Sequence, residues 1–179
     1  MNSFLYNLTG KIALVTGSSR GIGRAAGLKL AACGAKVIFH GVKDSEKLSS
    51  VVAEAGNCAE ALTADFGNAD EVVALAEIIK QKQIIPDILV LNASVQSYTG
   101  IANFDSNEFV RMFRTNVESS CILLNELLPE MQKKKFGRII FVGSINGIKP
   151  ASRLSIYGAA KAALMNIAKT TALEIIVLI

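Results

Sequence analysis

Three side chains toward the end of the chain, Ser144, Tyr157 and Lys161, have the types and spacing of a proton-transfer device. A free tyrosine has a pKa of about 10 and is a poor acid or base at neutral pH. A cation held beside it favours the phenolate, which brings the group closer to the operating pH that acid–base catalysis needs. Tyr157 and Lys161 are four residues apart, so on a helix they share one face. A serine hydroxyl aimed at the same point can hydrogen-bond a carbonyl or alkoxide oxygen. Tyr-x-x-x-Lys by itself is a common pattern, and the chemistry needs partners elsewhere in the chain.

The elements that must position these residues are legible around them. Arg138–Val142 (RIIFV) reads as a buried strand, with Ser144 just beyond its carboxyl end, where open α/β sheets place ligands. Gly147, Pro150 and Ser152 are loop formers, and Ser155 can cap a helix starting near Ile156. Further strands are expected at Lys11–Thr16, Lys36–His40, Ala59–Thr63 and Asp87–Leu91. Helices are expected from the glycine-rich turn to Cys33, over Ser45–Ala55, from the Asn68/Glu71 capping pair to Lys82, and as one long helix over Ser106–Gln132 that Pro129 bends. Strict alternation of this kind predicts an α/β fold, a doubly wound parallel sheet with about five strands and helices on both faces, and residues 1–179 forming a single domain. Between the first strand and first helix lies Thr16-Gly17-Ser18-Ser19-Arg20-Gly21-Ile22-Gly23. Its glycines permit a tight turn, and the helix start offers unpaired N–H groups to a pyrophosphate.

Composition narrows the function classes. The chain has 179 residues, 51% hydrophobic, with 19 basic against 15 acidic residues, a net +4 too mild for a nucleic-acid binder. The densest basic run, Lys133–Lys135, reads as a solvated helix end. Cys33, Cys58 and Cys121 are odd in number and widely spaced in apolar stretches, which predicts buried free thiols in a reducing compartment. With His40 the sole histidine, no zinc site is expected. The start, MNSFLYNLTGK, lacks the pattern of a signal peptide, and no window of about 18 apolar residues could span a membrane. A cytoplasmic protein is expected.

Taken together, these motifs resemble the short-chain dehydrogenase/reductase family, Rossmann-fold oxidoreductases that use NAD(H) or NADP(H), and the resemblance runs from about Gly10 to Glu174. It implies that Gly17, Gly21 and Gly23, with Ser19, Arg20 and Ile22 between them, form the phosphate loop. It implies that Asp65, with Phe66, meets the adenine, and that Asn92-Ala93 matches the Asn-Ala of the family's motif after strand four. Asn116 matches the long-helix Asn that supports a proton relay, and Ser144, Tyr157 and Lys161 match the catalytic set, the last two also touching the cofactor. Each residue alone has a plain alternative: a solvent-facing Asn116, a turn-forming Asp65, a loop hydroxyl at Ser144. The ordered set carries the resemblance.

The sequence departs from the family pattern at three places. Leu91 and Ser94 replace an Asn and a Gly of the strand-four motif. Gly41 stands where NAD-preferring members carry an acid, and Arg20 and Lys43 offer cations to a 2′-phosphate, so NADP(H) is expected over NAD(H). The family continues past the Tyr157 helix through two more strands and a substrate-covering segment, whereas this chain stops at Ile175–Ile179. That ending predicts an incomplete sheet with Arg138–Val142 as a bare edge, prone to aggregation and inactive until a C-terminal segment is restored. The implied activity is hydride transfer between a nicotinamide and an alcohol or carbonyl compound, with Tyr157 as acid/base. The implied assembly is a homo-oligomer, dimer or tetramer, through the long helix and the Tyr157 helix. The rival reading is a truncated, inactive remnant that at most binds nucleotide or pairs with other subunits. Gln96, Ile145, Asn146 and Lys149 flank the expected pocket.

Overall fold

The computed structural model describes residues 6–176. The signal-peptide reading rests partly on residues 1–5, and the apolar tail on 177–179, which lie outside the described residues. Five strands form one parallel sheet: β1 (Ile12–Val15), β2 (Lys36–Gly41), β3 (Ala59–Thr63), β4 (Ile88–Leu91) and β5 (Arg138–Phe141), in the order β3-β2-β1-β4-β5. Six helices connect and cover them: α1 (Gly21–Ala32), α2 (Glu46–Ala55), α3 (Ala69–Gln81), α4 (Ser106–Phe113), α5 (Ser119–Lys133) and α6 (Ser155–Ile176). The predicted doubly wound α/β architecture is therefore present.

The core follows from the two-residue period of a strand. Leu14, Ile38 and Leu89 point to one face, where they pack with Val72, Leu75 and Ile79 of α3 and Leu123 and Leu127 of α5. Ala13, Val37 and Phe39 point to the other, against Leu48 and Val51 of α2. Both faces being covered explains why the central strands read as continuous apolar runs. β3 and β5 form the edges of the described sheet, and Ile140 in β5 is 48% exposed. The strand order turns back between β1 and β4, which opens a crevice at their carboxyl ends.

Two expectations are corrected here. The long helix is not continuous: residues Arg114–Glu118 form a π-helical segment between α4 and α5, and α5 runs through Pro129 to Lys133. A π segment widens the turn by one residue. It places Asn116 where its carboxamide closes on the backbone of Val95, accepting from the N–H at 2.7 Å and donating to the C=O at 2.8 Å. The cysteines are free, but Cys58 is exposed and Cys33 and Cys121 are only partly buried.

The basic run at the end of α5 is also more than a solvated helix end. Lys134 pairs with buried Asp87 at 2.7 Å, and Asp87 in turn accepts from Ile12 N–H at 2.8 Å. Asp87 thus precedes β4 rather than opening it, and ties its start to β1 and to the α5 terminus. Among the described residues no helix is long and apolar enough to cross a membrane.

Candidate active site

The crevice is built first from the glycine-rich turn. α1 begins at Gly21 with Arg20 as its N-cap, and no side chain caps it and no acid stands in its first turn. Among the described residues the N–H groups of Gly21, Ile22 and Gly23 have no acceptor, and a Cβ at Gly21 (φ +58°) would meet nothing within 4 Å. An open, uncapped helix start with bare backbone donors fits a pyrophosphate. Ser19 makes no side-chain hydrogen bond among the described residues, and Arg20 and Lys43 are exposed and form no salt bridge there. Their polar groups are thus available to a ligand.

The β4 end locks this turn in place. Thr16 Oγ1 accepts from both Asn92 N–H and Ala93 N–H at 2.9 Å. The Asn92 carboxamide donates to the carbonyls of Thr16 at 2.9 Å and Gly17 at 3.0 Å. A Cβ at Gly17 would lie 2.7 Å from Ala93 Cα, and one at Gly23 2.5 Å from Asn92 Nδ2. The two loops approach more closely than any side chain at these positions permits. Asp65, at the β3 end, accepts from Gly67 N–H at 2.8 Å through Oδ1. The Phe66 ring is buried, stacked on His40 with centroids 4.0 Å apart, so Phe66 can meet a cofactor only through its backbone.

Ser144, Tyr157 and Lys161 come together around α6. Ser144 caps a short turn, accepting from Asn146 N–H at 3.2 Å, and this turn is pressed onto α6. A Cβ at Gly147 would stand 2.9 Å from Ala162 N, and one at Gly158 2.8 Å from Asn146 O. Ile156, Ala160 and Leu164, spaced by four, form a buried stripe next to the one that carries Tyr157 and Lys161, and Tyr157 itself is partly exposed. Lys161 is 2% exposed; its Nζ donates to Val142 O at 3.0 Å and lies 5.9 Å from the Tyr157 ring centroid. Burial lowers its pKa from 10.5 to about 8. The ammonium is still the main form at neutral pH. Asn116 lies in the π segment, which packs against the same helix.

The close docking of the turn yields a prediction. Gly158→Ala or Gly147→Ala forces backbone against backbone, costing roughly 1–3 kcal/mol of stability. If Ser144 holds the substrate oxygen, as proposed below, its displacement by about 1 Å lowers kcat on the order of 100-fold. Thermal melting and steady-state kinetics read the two effects; an unchanged kcat in both variants would show that Ser144 does not depend on this contact.

Sequence reasoning treated Gly147 as a loop former and passed over Gly158, Thr16, Val95 and Val142. None carries a local signal, because each matters through a partner distant in the chain. Gln96, Ile145 and Lys149 are exposed, and Asn146 is partly buried.

A parallel sheet whose crevice holds an uncapped glycine-rich turn defines a dinucleotide-binding α/β fold. The sequence profile of the short chain dehydrogenase family matches residues 11–177. The chain is 36% identical over 171 residues to a 3-oxoacyl-[acyl-carrier-protein] reductase of Synechocystis, covering 94% of this chain and 69% of that protein. It is 35% identical over 169 residues to a D-beta-hydroxybutyrate dehydrogenase of Cupriavidus necator, covering 93% and 66%. The crystal structure of a 3-oxoacyl (acyl-carrier-protein) reductase from Agrobacterium tumefaciens with NADP bound superposes with a TM-score of 0.89 at 36% identity, covering 97% of this chain and 68% of that one. The chain belongs to the short-chain dehydrogenase/reductase family of oxidoreductases. It spans about two thirds of the length of these relatives.

Proposed function

We propose that this chain takes part in reversible hydride transfer between a nicotinamide cofactor and an alcohol or carbonyl compound. The observation that carries the reading is the buried Lys161 ammonium beside Tyr157, with the Ser144 turn docked on the same helix. The cofactor, when bound, supplies the hydride chemistry. Gly17, Ser19, Arg20, Gly21, Ile22 and Gly23 hold its phosphates, Asn92 and Ala93 brace the turn, and Asp65 with the Phe66 backbone lines the adenine side. Tyr157 Oη exchanges the proton of the substrate oxygen, Ser144 Oγ hydrogen-bonds that oxygen, and Lys161 stabilises negative charge developing on the phenol and contacts the ribose. The Asn116 side chain is occupied by Val95, so its part in a proton relay falls to its backbone carbonyl. Exposed Ile145 and Ile148 beside Ser144 offer apolar contact to a substrate.

A 3-oxoacyl thioester and 3-hydroxybutyrate are suitable probes, given the names of the two relatives above. Turnover of either with NADP(H) or NAD(H) supports the reading. Nucleotide binding without any turnover supports the rival, a binding-only remnant. The outer faces of α4, α5 and α6, where Val110 and Leu173 are exposed, are the surfaces proposed for a second copy. A monomer by light scattering at micromolar concentration would remove that assignment.

NADP(H) is the proposed cofactor, since Arg20 in the turn and Lys43 after β2 are exposed cations with no salt bridge among the described residues, and Gly41 brings no repelling acid. Two solved relatives carry NADP, the Agrobacterium reductase and a metagenomic short-chain oxidoreductase. A charge-assisted contact to the 2′-phosphate contributes about 1.5–3 kcal/mol, so NADPH should bind at least about tenfold more tightly than NADH. The Arg20→Ala, Lys43→Ala double variant should remove most of that preference. Fluorescence titration measures both constants, and equal affinities in the unmodified chain would overturn the assignment.

A further inference from the structure

His40, the sole histidine, occupies the carboxyl end of β2 and is 1% exposed. Both ring nitrogens are engaged. Nδ1 accepts from Gly17 N–H at 3.0 Å, and Nε2 lies 3.0 Å from Ala64 O. A backbone N–H can only donate and a carbonyl can only accept, so these two partners dictate one tautomer: a neutral ring with its proton on Nε2. An imidazolium would set a second N–H against that of Gly17. Burial agrees with this assignment, lowering the pKa of His40 to about 4.

The backbone of the same residue is tied to the turn as well. His40 N–H donates to Ser18 Oγ at 2.8 Å, and His40 O accepts from Ser18 N–H at 2.8 Å. The ring stacks on Phe66, the residue after Asp65. One side chain therefore joins three strand ends around the crevice: Gly17 after β1, its own position on β2, and Ala64–Phe66 after β3. Gly17 opens the turn in a left-handed conformation (φ +62°), and among the described residues its N–H has no other acceptor.

We propose that His40 is a positioning residue for the dinucleotide turn, its neutral imidazole acting as the acceptor that fixes Gly17 N–H and so sets the Gly17–Gly23 backbone relative to the Ala64–Phe66 rim. The effect on cofactor binding rests on the reading of the turn given above; the clamp on Gly17 does not.

Three variants separate the two ring contacts. In His40→Asn the side-chain oxygen occupies the place of Nδ1, keeping the acceptor for Gly17 and losing the donor to Ala64. In His40→Gln the amide nitrogen occupies the place of Nε2, keeping the Ala64 contact and losing the acceptor for Gly17. His40→Phe keeps the stack on Phe66 and loses both hydrogen bonds. Asn and Gln each remove one hydrogen bond and the stack on Phe66, so a general loss of packing would lower melting temperature and binding in both. The clamp predicts a contrast instead. In the ligand-free chain, amide hydrogen exchange at Gly17 should stay slow in Asn and accelerate about tenfold or more in Gln and Phe. The NADPH dissociation constant should stay within about threefold in Asn and rise about tenfold or more in Gln and Phe. Equal behaviour of Asn and Gln, or affinities that follow melting temperature regardless of the contact kept, overturns the proposal. If the unmodified chain binds no dinucleotide, the reading of the turn fails, while the exchange pattern at Gly17 still decides the clamp. Should the Phe variant not fold, the Asn–Gln contrast decides alone.

Discussion

Tyr157→Phe lowers kcat by about 100- to 10,000-fold, the range over which a positioned acid or base contributes, and leaves NADPH affinity within about twofold. The phenol is partly exposed on α6, while the uncapped N–H groups proposed for the phosphates belong to α1. The substitution removes one oxygen and keeps the ring, so packing against Lys161 and the α6 backbone is preserved. Loss of binding in parallel with kcat would mean that the variant disturbs the fold or the cofactor site. Retention of most of kcat would exclude Tyr157 as the proton carrier.

Lys161→Met is expected to cut kcat by at least about 100-fold while making the folded chain more stable at neutral pH. The side chain is almost fully buried, and its pKa drops to about 8 because burial penalises the charged form. At about 1.4 kcal/mol per pH unit, keeping the ammonium in this site costs the fold about 3 kcal/mol. Methionine fills similar space without charge. It forfeits the hydrogen bond to Val142 O, worth about 1 kcal/mol, for a net gain of about 2 kcal/mol.

The pH dependence gives the sign. Below pH 8 the lysine is protonated in both folded and unfolded chains, so the whole cost is present. Between about 8 and 10.5 the unfolded chain holds a proton that the folded chain has released, so the stability of the unmodified chain rises with pH. The advantage of Lys161→Met should therefore be largest at neutral pH, shrink through that window, and reverse slightly at its upper end. Melting temperatures across the range test this. A variant less stable than the parent at pH 7 would show that the lysine is held by more than the contact with Val142.

Gly17–Gly23, Ser144, Tyr157 and Lys161 were legible in the sequence because their signals are local. Glycines mark a turn between an apolar strand and a helix, and a spacing of four puts phenol and ammonium on one helical face. The alternation of five strands with helices is equally local, resting on apolar runs and caps, and from it the parallel architecture follows. Asn68 illustrates the limit of such signals. It caps α3 through Asp70 N–H as predicted, yet Glu71 does not close the box on Asn68 N–H. It accepts instead from Asp65 N–H, six residues away at the end of the β3 connection.

What the tertiary structure alone decided involves groups far apart in the chain. Asn116 reads as one residue of a long helix; it turns onto Val95 because a π segment interrupts that helix, and the partner lies 21 residues away. Asp87 reads as the first residue of a strand, but its partners are Ile12, 75 residues distant, and Lys134. His40 reads as the end of an apolar strand. Its tautomer and its hold on Gly17 arise only when β2 lies beside β1 and β3. Periodicity and spacing report which face a side chain presents, since that is set by the backbone immediately around it. Which donor meets which acceptor is set by how the sheet brings strand ends together, and no local pattern encodes that.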